Sequence, residues 1–280
     1  MRNFIKYIIL LINELIITQL HKRNKKRFLS GEIHPIVGYS TDYIGIVTTV
    51  AGRYEQYTLE NLFQLFCQNN RKSITALDIG ANIGNHSMFF SEHFKHVLAF
   101  EPNPLNYELL QINIRGKSNI SAFNFGLSNK NERVKFRWHP CNLAGGHVAK
   151  YTENQQFLES MMTKENAPII KDNSFELKRF DDCDFPKSSI DNVSLIKIDV
   201  EKHEYSVLQG MVNFFSHNSP IIAFEQHPTE INNGSSEVLE FLRSNGYSKF
   251  YEINNLPIGR PYKRIEKLSN KRYLMIAALP

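Results

Sequence analysis

The sequence predicts an α/β fold in which a mostly parallel sheet carries helices on both faces, with a helical extension ahead of it. Three observations carry that prediction. From about residue 74 onward, short continuous apolar runs alternate with longer amphipathic ones, as in strands buried on both faces and separated by helices. The first run, "ITALDIG", passes directly into the turn "GANIG" and a helical period. Later runs end on acids, at Glu101, Asp199 and Glu225, and such sheets bind ligands beyond the carboxyl ends of their strands.

In chain order, residues 1–30 come first as a basic segment reading "FIKYIILLINELIITQLHKRNKKR". Its apolar stretch of about 17 residues is broken by Lys6, Asn13 and Glu14, which is marginal for a bilayer span. On a helical wheel Asn3, Lys6, Asn13, Glu14 and Thr18 oppose Ile5, Ile8, Ile12, Leu15 and Ile16. Three readings are open: residues 1–27 lie on an anionic membrane face, the same face packs on the domain, or the segment is a signal or signal anchor.

Residues 31–73 read as a cap, with a strand near Tyr43–Val50 and a helix near Tyr54–Asn69. The domain proper spans 74–280. "ITALDIG" is its first strand and "IGNHSMFFSEHF" its first helix. "HVLAFEP" follows as a strand, then a helix from Pro104 to about Arg115, with proline in the favoured first turn. "ISAFNFGLS" reads as a third strand and "SLIKIDV" as a fourth, leading into the helix "HEYSVLQGMVNFF". "PIIAFEQ" is a fifth strand. A helix around Ser235–Ser244 and the strands "SKFYEI" and "RYLMIAAL" close the chain. Between Trp138 and Phe175 the pattern breaks into a long polar stretch, which places a substrate-loop insertion at 139–175.

Charge narrows the function. The net +5 is an N-terminal property: residues 1–30 hold seven Lys/Arg against Glu14, leaving 26 basic and 27 acidic residues for the rest. A nucleic-acid partner is therefore not expected, because a phosphate-reading domain needs its own basic excess. Cys67, Cys141 and Cys183 are scattered and odd in number, which suits a reducing, cytoplasmic setting and neither a disulfide framework nor a zinc site.

The turn after the first strand is where a cofactor is expected. Gly80 and Gly84 allow close backbone approach, and the following helix offers free N–H groups. The spacing matches neither the phosphate-binding loop nor G-x-G-x-x-G. Glu101, about 20 residues on, is placed to accept hydrogen bonds from both hydroxyls of a ribose. Asp78 adds negative charge that would repel a pyrophosphate and attract a cation. A ribose-bearing cation without phosphates is S-adenosylmethionine.

The stretches "LDIGANIGNHSMFF", "VLAFEPNPLNYELLQINI" and "LIKIDVEKHEYSVLQG" resemble, in order, the FkbM family of S-adenosylmethionine-dependent methyltransferases over about residues 74–228. The resemblance implies the class I methyltransferase (Rossmann-like) fold, with a seven-stranded sheet whose last strand is antiparallel. It also implies O-methylation, commonly of sugar or polyketide hydroxyls. By matching positions, Asp78, Gly80, Ala81, Asn82, Gly84 and Glu101 become cofactor contacts, and Gly126–Ser128 an adenine rim. One departure stands out: the family pattern continues "DVEG", whereas Lys202 follows Glu201 here, which puts the shape of that turn in question.

Methyl transfer to oxygen needs alignment and a group to manage the hydroxyl proton. Asp199 is expected as the main catalytic carboxylate, with Glu225 sharing the site. The same two acids could instead hold a divalent metal, magnesium by ligand type. His227 is a base in the metal-free reading, or an ordinary loop residue. Lys197 is either a substrate contact or part of an internal ion pair, and Glu201 and Glu204 read as partners of a helix start. Asn142 and His147, with Gly145 and Gly146, are expected near a polyol substrate, and Trp138 either stacks on a sugar or sits in the core. The expected activity is O-methylation of a sugar, glycan or glycolipid precursor. The alternatives are a non-catalytic binder on the same fold, a methyltransferase acting on nucleic acid or another small molecule, and an NAD-linked enzyme.

Overall fold

A computed structural model describes residues 2–40, 42–69, 71–72, 74–139, 142–148, 174–269 and 274–280. Helix α1 (Arg2–Leu29) is followed by α2 (Tyr43–Ala51) and α3 (Gln56–Gln68). The alternating region then runs β1 (Thr75–Ile79), α4 (Asn85–His93), β2 (His96–Phe100), α5 (Pro104–Asn113) and β3 (Ile120–Phe123). Next come β4 (Gly126–Leu127), β5 (Glu132–His139), β6 (Asn142–Val148), β7 (Ser174–Lys178), α6 (Lys187–Ile190) and β8 (Val193–Ile198). The chain closes with α7 (Glu204–Gln209), α8 (Val212–Phe215), β9 (Ile221–Gln226), α9 (Glu237–Ser244), β10 (Lys249–Ile253), β11 (Tyr262–Ile265) and β12 (Leu274–Leu279).

The main sheet has the order β11-β10-β12-β9-β8-β1-β2-β3. Strands β3, β2, β1, β8 and β9 pair parallel, while β12 enters antiparallel between β9 and β10. This is the Rossmann-like methyltransferase topology. An eighth strand, β11, extends the expected seven by pairing antiparallel with β10 at the edge. Every residue of β1 and β8 is buried, as strands covered on both faces must be. One face packs Leu77, Ile79, Phe100, Ile198 and Phe224; the other packs Ala76, Val97 and Leu195 against Leu62 and Phe66 of α3 and Phe90 of α4. The cap residues of α3 therefore share the domain's core.

Several elements depart from the sequence expectation. The segment expected as a strand at Tyr43–Val50 is helix α2. Its β-branched residues argue for a strand, but Thr48 and Thr49 turn their hydroxyls back onto the carbonyls of Ile44 and Gly45, and left-handed Gly52 (φ 87°) closes the helix on Thr48 O. The third expected strand is split: β3 stays in the main sheet, while Asn124 bonds the carbonyls of Glu101 and Pro102 and sends β4 into a second sheet. That second sheet, β4-β7-β5-β6, gives regular structure to both ends of the expected loop insertion, since β5 and β6 form an antiparallel hairpin. The remainder of the insertion, Cys141 included, lies outside the described residues. The helix expected over "HEYSVLQGMVNFF" breaks at Gly210, where a Cβ would stand 2.0 Å from the carbonyl oxygen of Ser128.

Among the described residues, the side-chain bonds that tie helix α1 to the domain lie near its carboxyl end. Arg23 donates to Val50 O, Asn24 to Thr49 O at 2.6 Å, and Arg27 to Ala51 O and to Gln56 Oε1 at 2.9 Å. Upstream, the large apolar side chains are exposed all round the helix: Tyr7, Leu10 and Ile17 on the side expected to be polar are as exposed as Ile5 and Ile12. The two-faced pattern read from the wheel is thus a simplification. Among the described residues no helix is long and apolar enough to cross a membrane.

Candidate active site

Strand register builds the site. Ile79 pairs with Phe100 on one side and Ile198 on the other, and Ile198 pairs with Phe224. The next residues along those strands are Gly80, Glu101, Asp199 and Glu225, which form a row at the carboxyl edge. Chain order reverses between β1 and β8, the switch point where sheets of this kind open a crevice. A cavity of about 210 Å³ lies there, lined by all four of these residues together with Ala81, Asn82, Lys197, Glu201 and Gly126.

At its cofactor end, Glu101 is buried and holds both carboxylate oxygens in place by accepting the backbone N–H of Asn82 and of Asn103, each at 2.8 Å. Burial pushes its pKa up to about 7 against the pull of those two donors. Asn103 caps α5 by accepting Leu105 N at 3.1 Å, while its buried amide nitrogen, in a residue lining the cavity, has no partner among the described residues. A buried carboxylate with spare lone pairs beside an orphaned amide donor suits a ribose joined to a heterocycle or carboxylate. S-adenosylmethionine fits this donor and acceptor set.

The glycines also meet a packing requirement that the sequence alone does not show. Gly80 (φ 80°) has no room for a Cβ because the carbonyl oxygen of Asp199 would lie 1.9 Å away, and a Cβ on Gly84 (φ 91°) would stand 2.6 Å from Leu110 Cδ1 of α5. Both permit close packing of strand ends and helices, and Gly80 also lines the cavity. Gly126 likewise meets Leu177 and Pro102.

Asp78 lies beneath the cavity rather than on it. Register sets it beside Lys197 across β1 and β8. It accepts Ser87 Oγ at 2.5 Å and pairs with Lys197 Nζ at 3.4 Å. The same ammonium pairs with Asp199 at 3.4 Å and donates to Gly80 O at 3.1 Å. Burial alone would depress Lys197, but Asp199 and Asp78 outweigh it and hold the ammonium above its ordinary range. Lys197 is therefore charged and committed to an internal triad.

The cavity also takes in residues the sequence reading did not single out. Asn85, on the first turn of α4, clasps the backbone of Tyr54 by accepting its N–H at 3.1 Å and donating to its carbonyl at 2.9 Å. The His86 ring stacks on Tyr54, 6.4 Å between centroids, and its Nε2 lies 3.0 Å from Glu55 Oε2. Tyr54, Glu55, His86 and His203 all line the cavity. The available signal was the "NHS" that opens α4: two polar side chains aimed at a preceding segment from a buried helix start.

Acidic groups crowd the site. Burial, then Asp199 and Glu201, push Glu225 up to about 9. Burial and Asp199 raise Glu201 to about 7, and burial raises Glu204, which accepts Val200 N at 3.0 Å, to about 8. Glu201 (φ 56°) and Lys202 (φ 70°) are both left-handed, so Lys202, where the family pattern has glycine, sits under backbone strain. His227 lies outside the cavity lining, with Nδ1 engaged by the amide and hydroxyl of Thr229. The backbones of Asn142 and His147 lie on β6; their side chains, and that of Trp138, are outside those described.

The magnesium read as an alternative for Asp199 and Glu225 is not supported. Among the described residues no three His, Cys, Asp or Glu side chains converge as a metal site, and Asp199 is tied to Lys197.

Residues 78–249 match the methyltransferase FkbM domain, well over half of the chain. The chain belongs to the FkbM family. Its domain is that of an S-adenosylmethionine-dependent methyltransferase. It is 26% identical over 155 residues to the hexuronic acid methyltransferase AglP of Haloferax volcanii, covering 55% of this chain and 56% of that one. It is 28% identical over 154 residues to methyltransferase sdnD of Sordaria araneosa, covering 48% and 59%. The match thus spans a little over half the length of these relatives. Among solved structures, methyltransferase FkbM from Methylobacillus flagellatus aligns over 74% of this chain and 43% of that one, with 16% identity and a TM-score of 0.43.

Proposed function

We propose that this FkbM-family protein transfers a methyl group to a hydroxyl of a sugar, glycan or glycolipid precursor, and that it works on the cytoplasmic side. The carrying observation is the Glu55–His86 pair on the same cavity wall system as Glu101, Asp199 and Glu225. S-adenosylmethionine, when bound, supplies a methyl group on a cationic sulfur. Glu101 accepts hydrogen bonds from the ribose, and the unpartnered amide of Asn103 donates beside it. Asp199, fixed by Lys197, keeps negative charge at the carboxyl edge of β8 for the cation.

The proton of the acceptor hydroxyl goes to His86. Asp199 is held by Lys197, Glu225 carries a proton at neutral pH, and His227 is turned to Thr229, so the residues expected as bases are each otherwise engaged. Glu55 orients the imidazole and stabilises the imidazolium that forms. Protonated Glu225 donates a hydrogen bond to an acceptor oxygen. A carboxylate acceptor, as in the hexuronic acid of the AglP name, would meet Glu55, Asp199 and Glu201 with Lys197 already committed. That repulsion favours a hydroxyl over a carboxylate as the methylated group.

The test is transfer of labelled methyl from S-adenosylmethionine to a panel of neutral sugars, sugar nucleotides, glycolipids and hexuronic acids. Transfer to a hydroxyl is expected, with kcat falling about 100- to 10,000-fold in His86→Gln at unchanged cofactor affinity. No transfer to any member despite tight cofactor binding would sink the assignment, and full activity in His86→Gln would remove His86 from it.

A further inference from the structure

We propose that α1 docks the protein onto an anionic lipid bilayer, with the exposed residues Ile5–Ile17 in the acyl region and Lys22, Lys25 and Lys26 on the headgroup phosphates. Every Ile, Leu and Tyr from Ile5 to Ile17 is between 39% and 63% exposed, ten side chains in thirteen residues. The domain body therefore does not cover them. Lys22, Lys25 and Lys26 are exposed just beyond this band, and no acid occurs between Glu14 and Glu32.

Three occupants could bury such a surface, and two are disfavoured. The domain leaves it uncovered, since the named anchors gather at Arg23–Arg27. A second copy would set seven basic residues and one acid of residues 1–30 against the same excess. It would also bury one stripe, whereas apolar side chains here occupy the full circumference. A helix apolar all round is buried all round, and acyl chains do that. Thirteen residues rise only about 20 Å, short of the roughly 30 Å hydrocarbon thickness, so the band enters one leaflet without crossing.

The same geometry fixes how the domain hangs from the surface. The anchored end of α1 grips Thr49–Ala51 at the end of α2, and Tyr43 at the other end of α2 rims the cavity at 67% exposure. Docking through α1 therefore sets the cavity rim at a fixed distance from the lipid.

The experiment is flotation of the full chain with vesicles of phosphatidylcholine alone and of equimolar phosphatidylcholine and phosphatidylglycerol. Binding to the anionic vesicles is expected, with a threefold Lys22→Ala, Lys25→Ala, Lys26→Ala variant losing about 100-fold, near fivefold per lysine. Ile8→Asp with Ile12→Asp abolishes binding to both vesicle types. Both sites are exposed, and calorimetry with S-adenosylhomocysteine checks that each variant is folded. No flotation of the wild type overturns the proposal, as does flotation unchanged by the aspartates. A dimer in sedimentation that those aspartates dissolve would assign the band to a second copy instead. None of these readouts uses an acceptor, so failure here is separable from failure of the methyl-transfer reading.

Discussion

Replacing Glu101 by Gln separates the cofactor reading from a purely structural one. The wild-type carboxylate offers an oxygen to each of two backbone donors, Asn82 N and Asn103 N, both at 2.8 Å in a buried setting. An amide has one oxygen. Whichever way it flips, one buried N–H then faces an NH₂ group and goes unsatisfied, at about 1–3 kcal/mol. For a domain of this size that lowers Tm by roughly 2–12 °C. The lost charge-assisted hydrogen bond to ribose is worth a further 1.5–3 kcal/mol of binding, about 10- to 150-fold in Kd for S-adenosylhomocysteine. Calorimetry on the folded variant reads the second quantity and thermal unfolding the first. A lower Tm with unchanged Kd would leave Glu101 structural and refute the ribose contact. An unchanged Tm would refute the paired-amide geometry itself.

The pH dependence gives an independent check. Glu101 has its folded pKa raised to about 7, above the unfolded value near 4.3. A group raised in the folded state contributes stability fully present below the unfolded pKa and lost as pH rises through the folded one. The ligand-free protein is therefore expected to lose this contribution between about pH 5 and 8. A ribose donates to the ionised form, so cofactor affinity should rise across pH 6 to 8 more steeply in the wild type than in Glu101→Gln, where Glu201 still titrates in that window. Parallel slopes in the two proteins would refute the assignment of the titration to Glu101.

Three further outcomes are expected. Lys197→Met leaves the fully buried Asp78 without its cation and should cost about 3–5 kcal/mol in chemical denaturation, partly restored by adding Asp78→Asn; a loss below about 1 kcal/mol would mean the triad is not a buried ion cluster. Lys202→Gly relieves a left-handed lysine (φ 70°) and should raise stability by about 1 kcal/mol, whereas a lower Tm would show that the turn is unstrained. Exhaustive chelation should leave turnover and cofactor affinity within about twofold, since Asp199 is bound to Lys197 and Glu225 retains its proton; activity lost to chelator and restored by magnesium would contradict this.

Legibility in the sequence followed the range of the interactions involved. The strands of the parallel sheet were readable because burial on both faces leaves an apolar run that needs no partner to be recognised, as in "LIKID" and "IIAFE". The row Gly80, Glu101, Asp199 and Glu225 followed from strand ends alone. What failed depended on contacts distant in sequence. Helix α2 has strand-like residues, and its helical form depends on hydroxyl back-bonding and on the arginines of α1. Strand β11, expected as nothing, exists because β10 offers it an edge. The glycines of "GANIG" have a packing requirement the sequence does not show, because a positive φ and a neighbouring carbonyl look the same in sequence as room for a ligand.

The largest omission, Tyr54 and Glu55, has a physical explanation that bears on how the site works. Neither residue is near the carboxyl edge in sequence, and both come from the cap, so no strand-end rule points to them. They reach the cavity because Asn85 and His86, on the helix that follows the cofactor turn, reach back and hold them. Glu55 occupies a left-handed backbone (φ 52°) without a side-chain capping bond, a conformation of about 1–2 kcal/mol that the clasp must stabilise. The turn after β1 and the clasp on the cap thus share one short segment, residues 82–86: Asn82 N donates to the Glu101 carboxylate, and His86 pairs with Glu55. Any ligand that shifts Asn82 shifts the helix start carrying His86. The strained Glu55 backbone and the clasp that holds it are therefore tied, through covalent geometry, to the turn that fixes Glu101.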